Sequence, residues 1–129
     1  MDPRAEPRPI PGAVMIDTVD PTPLVAFWTA LLGTEVAYRT DTFVWLRRNA
    51  PDVLGLAFQK VPEAKSGKNR VHVDFVASDI DAVRARVEEL GGSFLFDRRG
   101  EDSRWLVLAD PEGNEFCVSA VEEEDAGTA

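Results

Sequence analysis

The chain has 129 residues, 44% hydrophobic and 29% charged, with a net charge of −9 and one cysteine, Cys117. That length suits one domain with a working core. A single cysteine excludes an intrachain disulfide, and the acidic balance excludes the basic face that a phosphate backbone requires. No apolar run reaches the ~18 residues of a membrane span, and Met1-Asp2-Pro3-Arg4 does not open a signal peptide. The expectation is a cytoplasmic protein with no nucleic-acid and no membrane partner.

Residues 1–12 hold four prolines and little apolar surface, and read as a flexible N-terminal arm. The β-branched run Ala13–Asp20 predicts a strand. Pro21 then suits a first helical position, where its missing N–H costs nothing. Leu24, Phe27, Trp28 and Leu31 form an apolar stripe that predicts a helix near Pro21–Leu32, ended by Gly33. Strands follow at about 35–39, 42–47 and 53–60. The polar stretch 62–70, with Gly67, reads as a linker. A second β-branched run, His72–Asp79, leads into a second stripe, Ile80, Val83, Val87 and Leu90, so a helix is expected near Asp79–Leu90, ended by Gly91-Gly92. Ser78 with Asp81 resembles a capping box. Strands are expected again at about 93–98, 104–109 and 114–120, the last two joined by the turn Asp110-Pro111-Glu112-Gly113-Asn114. The run Glu122-Glu123-Glu124-Asp125 makes 121–129 a solubilising acidic tail.

The two halves repeat. Setting Asp20 over Asp79 places Leu24 on Val83, Trp28 on Val87, Leu31 on Leu90 and Gly33 on Gly92 without a gap. The fold class is therefore α+β: two tandem βαβββ modules, 13–61 and 71–120, within a domain spanning 13–120. One helix covers one face of each four-stranded sheet. The open faces are expected to form a concave mixed sheet around a central cleft, the kind of place where small molecules bind.

This repeat, with Phe27-Trp28-Thr29-Ala30-Leu31-Leu32-Gly33 in the first half and Asp110-Pro111-Glu112-Gly113-Asn114-Glu115-Phe116 in the second, resembles the glyoxalase/bleomycin resistance protein/dioxygenase (vicinal oxygen chelate) superfamily. Phe58-Gln59-Lys60-Val61-Pro62 and Gly67–Asp74 resemble its glyoxalase-like branch. The resemblance implies a homodimer, a small-molecule ligand or substrate, and, in metal-using members, one ligand from each of four strands. The corresponding positions here are Ala13, a place near Ala57, His72 and Cys117. Alanine cannot ligate, and a lone imidazole with a thiol falls short of the four donors that hold a cation such as zinc. The expectation is no metal and no cofactor at that location.

Strand alternation leaves Asp17, Gln59, His72, Asp74, Glu115 and Cys117 on the cleft face if Val71, Val73 and Phe75 turn toward the helix. Trp45 and Trp105 are candidates to stack on a flat ligand. His72, Asp74 and Glu115 are the catalytic candidates, since carboxylates and an imidazole in a partly apolar cleft support proton transfer. Three functions stay open: a metal-independent small-molecule binding protein with a degenerate metal site; an isomerase or lyase using His72 and the carboxylates; or a metalloenzyme with a rearranged site. The residues leave open whether the chain is an enzyme.

Overall fold

The computed structural model describes residues 11–101 and 103–120. The chain divides after Ala64 into two compact units. The arm 1–12 and the tail 121–129 lie almost wholly outside the described residues.

The first unit holds β1 (Ala13–Thr18), α1 (Pro21–Leu32), β2 (Val36–Arg39), β3 (Phe43–Leu46) and β4 (Gly55–Lys60). Asp20 caps α1, its Oδ1 accepting from the Thr22 amide at 3.1 Å, and Gly33 closes the helix at φ 66°, a left-handed conformation that favours glycine. The strands order β1-β4-β3-β2, with β1 parallel to β4 and the other pairs antiparallel. The apolar stripe of α1 lies on β3 and β4, where Leu24, Phe27 and Trp28 are buried with Val44, Leu46, Leu56 and Phe58. Phe27 and Trp28 meet edge to face, with ring centroids 5.1 Å apart.

The second unit repeats the first with β5 (Val73–Ala77), α2 (Ile80–Glu89), β6 (Ser93–Arg99), β7 (Arg104–Ala109) and β8 (Glu115–Ala120). Its strands order β5-β8-β7-β6, again with one parallel pair, β5 with β8. Each unit also carries a register shift near the start of its edge strand, at Val36/Tyr38 in β2 and at Phe94/Phe96 in β6. Under α2, Ile80 and Val87 are buried with Leu106, Leu108, Phe116 and Val118.

Two expectations are corrected. Ser78 and Asp81 form no capping box: Asp79 caps α2 by accepting from the Ala82 amide, and Asp81 turns to Arg104 instead. Val71 does not turn toward the helix; it is 79% exposed, because β5 starts only at Val73 and no pleat orients the residues before it.

Candidate functional site

In the second unit, residues that alternate away from α2 converge on a pocket of about 400 Å³. β8 contributes Cys117 and Ser119, which alternate with the buried Phe116 and Val118. β7 contributes Trp105, directly opposite Ser119. β5 contributes Asp74, opposite Cys117, and His72 lies just before the strand on the same side. Three elements of one sheet thus set an indole, a thiol, a hydroxyl, an imidazole and a carboxylate around one space.

The contacts within the group are specific. His72 Nδ1 stands 3.2 Å from Asp74 Oδ1. Burial, and then the Asp74 and Glu115 carboxylates, push the Cys117 thiol above its ordinary value of 9.0. The group at neutral pH is therefore a thiol, not a thiolate, and a poor nucleophile. The donor atoms of His72, Asp74 and Cys117 all lie within 4.8 Å of one another.

Of the eight residues that the sequence marks for the cleft, four meet here: His72, Asp74, Trp105 and Cys117. Glu115 shares their sheet but is taken up by Lys68, whose Nζ donates to its Oε1 at 2.9 Å. Asp17, Trp45 and Gln59 stand in the first unit, away from α1. There Asp17 is opposite Gln59, and Trp45 is opposite Ala57. The repeat makes the two sheets directly comparable. Met15 faces Ala57 in the first parallel pair as Asp74 faces Cys117 in the second, and Phe43 faces Gln59 as Trp105 faces Ser119. The first unit thus carries Ala13, Met15 and Ala57 where the second carries His72, Asp74 and Cys117. These three positions of the first unit offer no imidazole, carboxylate or thiol side chain.

Sequence reasoning missed Arg104, which lines the pocket and sends its guanidinium to Asp81 of α2. Its Nη1 and Nη2 donate to both oxygens of Asp81, and its Nε and Nη2 to Asp97, at 3.0–3.2 Å. Alternation carried the signal for its direction, since Leu106 and Leu108 share its parity. The partners, 23 and seven residues away, carried none. Ser119 follows from the same alternation as Cys117.

Two βαβββ units with one strand order, each with a helix on one face of its sheet, define the class of folds to which glyoxalases and bleomycin-resistance proteins belong. The model of the glyoxalase-like domain family matches residues 13–119, and the chain belongs to that family. Solved structures agree on the fold. A fosfomycin resistance protein, FosX, from Listeria monocytogenes is similar at 15% identity and a TM-score of 0.73, over 92% of this chain and 98% of that one. A glyoxalase/bleomycin resistance protein/dioxygenase family enzyme from Burkholderia phytofirmans PsJN is similar at 19% identity and 0.71, over 86% and 98%. Lactoylglutathione lyase from Agrobacterium tumefaciens is similar at 18% identity and 0.65, over 89% and 96%. No curated protein matches the chain. No helix among the described residues is long and apolar enough to cross a membrane.

Proposed function

We propose that this protein binds a small organic molecule in the second-unit pocket, as a binding protein of the glyoxalase/bleomycin-resistance type with a degenerate metal site. The observation that carries this reading is the pocket itself: about 400 Å³, with Trp105, Cys117, Ser119, His72 and Asp74 among the residues that line it. An aromatic wall with a few convergent polar groups is the usual make-up of a small-molecule site. The similar structures include a drug-resistance protein and a lyase, so family membership alone does not choose between carrying a ligand and transforming it. With this reading go the homodimeric state that the family resemblance implies and the cytoplasmic location expected from the composition.

The test is native mass spectrometry of the purified protein for a retained ligand, followed by a thermal-shift screen of small organic compounds on wild type and Trp105→Ala. The expected result is a compound that raises the melting temperature of wild type and fails to raise that of the variant, since ligand binding to the folded state alone stabilises it. Compounds that act equally on both proteins would contradict the reading.

A second reading is favoured by the mutual closeness of the His72, Asp74 and Cys117 donor atoms. One imidazole, one carboxylate and one thiolate would hold a zinc-like cation with a fourth position left to water or substrate. This is the rearranged metal site, built from one unit rather than four strands of both. Calorimetric titration of Zn²⁺, Ni²⁺ and Mn²⁺ decides it. Micromolar or tighter binding that vanishes in His72→Ala supports this reading. Weak binding that survives the substitution rejects it and points to the acidic run 122–125.

A further inference from the structure

The charges around the pocket are unevenly matched. Arg104 lines it, yet its guanidinium is held by two carboxylates, Asp81 at 3.0 Å and Asp97 at 3.0 Å. A guanidinium so engaged offers an incoming anion little; Asp97 is shared with Arg99, 3.7 Å away, so the cluster as a whole is balanced. Glu115 is answered by Lys68 at 2.9 Å. Arg98, opposite Trp105 across β6 and β7, lays its guanidinium over the Phe96 ring, 4.3 Å from the centroid, and does not line the pocket. Asp74 is the carboxylate that remains. It faces the pocket with its side chain 73% exposed, and its polar neighbours there are an imidazole and a thiol, not a lysine or arginine. Across β8 from it, lining the same pocket, stands Trp105, whose indole face carries the negative side of an aromatic quadrupole.

We propose that the pocket selects organic cations built on a flat ring, with the ring against Trp105 and the positive group toward Asp74. This rests on the ligand-binding reading above and names the class of ligand. Two attractions act together on such a molecule: the carboxylate on its charge, and the indole on both ring and charge. A flat anion meets the carboxylate as a repulsion, and among the described lining residues the Arg104 guanidinium is already engaged. The Cys117 thiol responds to the same field, since Asp74 and Glu115 raise it against the opposing effect of Lys68.

The experiment uses three probes of similar size: 1-methylquinolinium, neutral quinoline and 2-naphthoate. Each is titrated into the full chain at low ionic strength with chelator present, following the Trp105 indole and Cys117 amide resonances by NMR. The expected result is quinolinium binding roughly tenfold tighter than naphthoate, as a close carboxylate and a cation–π contact together supply. Asp74→Asn should remove most of that gap. Naphthoate binding as tightly as quinolinium would overturn the cation proposal and leave the ligand-binding reading standing; loss of naphthoate binding in Arg98→Gln would then assign the anion to Arg98. A gap that persists undiminished in Asp74→Asn would overturn it equally. If no probe moves either resonance, the cation proposal falls, and the thermal-shift screen on wild type and Trp105→Ala decides the ligand-binding reading separately.

Discussion

At the scale of single residues, Cys117 shows how place decides chemistry. It sits on a central strand, buried at 8% exposure, with the Asp74 carboxylate within 4.8 Å. Both conditions disfavour the thiolate, which is the reactive form. Alkylation of Cys117 in the folded protein should therefore be slow at neutral pH, with its rate rising through a midpoint above 9.0. Asp74→Asn should bring that midpoint down by removing one of the charges that raise it, and a midpoint indifferent to the substitution would contradict the assignment. Trp28 is the opposite kind of residue, 2% exposed and in edge-to-face contact with Phe27. Trp28→Ala should cost roughly 3–5 kcal/mol in denaturant unfolding, as large aromatic truncations in cores do. A cost below about 1 kcal/mol would mean that the site collapses around the loss.

At the scale of elements, the turn before β8 and the cluster at α2 set the pocket's walls. Asp110 is buried and accepts from the Glu112 and Asn114 amides and from Asn114 Nδ2, at 2.9–3.0 Å. This fixes where β8, and with it Cys117, begins. Asp110→Ala should lose on the order of 3 kcal/mol, since hydrogen bonds to a charged acceptor are the stronger kind; urea unfolding measures it. Arg104 ties α2 to β6 and β7 through Asp81 and Asp97, and its hydrogen bonds hold both carboxyls below the usual 3.8. Carboxyls lowered on folding stabilise the native state fully above the unfolded value, and that contribution is lost as pH falls through their folded values. The urea midpoint should thus fall below pH ~3.8 more steeply in wild type than in Arg104→Gln. Equal slopes would mean the cluster is too exposed to matter.

Much of this level was legible in the sequence. Asp20 and Asp79 cap helices because a short acidic side chain before an apolar stripe has amides to accept from. The alternation of β8 separated Phe116 and Val118 from Cys117 and Ser119 because the pleat has period two. Period two gives a face, however, and not a distance. Arg104 with Asp81, and Lys68 with Glu115, depend on how elements far apart in sequence are aligned, so neither pair could be read in advance. Glu115 was placed on the right strand, but its lysine partner went unseen. Val71 failed for a related reason: alternation was extended beyond the end of the strand that enforces it.

At the scale of the molecule, a doubled unit shares one architecture in both halves but differs in the side chains at three matching strand positions. The second unit holds an imidazole, a carboxylate and a thiol where the first holds Ala13, Met15 and Ala57. That asymmetry was visible once the halves were aligned on Asp20 and Asp79, because a strand position that faces away from the helix is free to vary without cost to the core. Which of the marked residues would share one space was not visible, since pocket geometry depends on strand order and register together. The most direct measurement is a structure of the protein with the first compound that stabilises it. The account predicts the compound against Trp105, above Cys117 and Ser119, with its polar group toward His72 and Asp74. A compound bound elsewhere on the chain, with this pocket left to solvent, would contradict it.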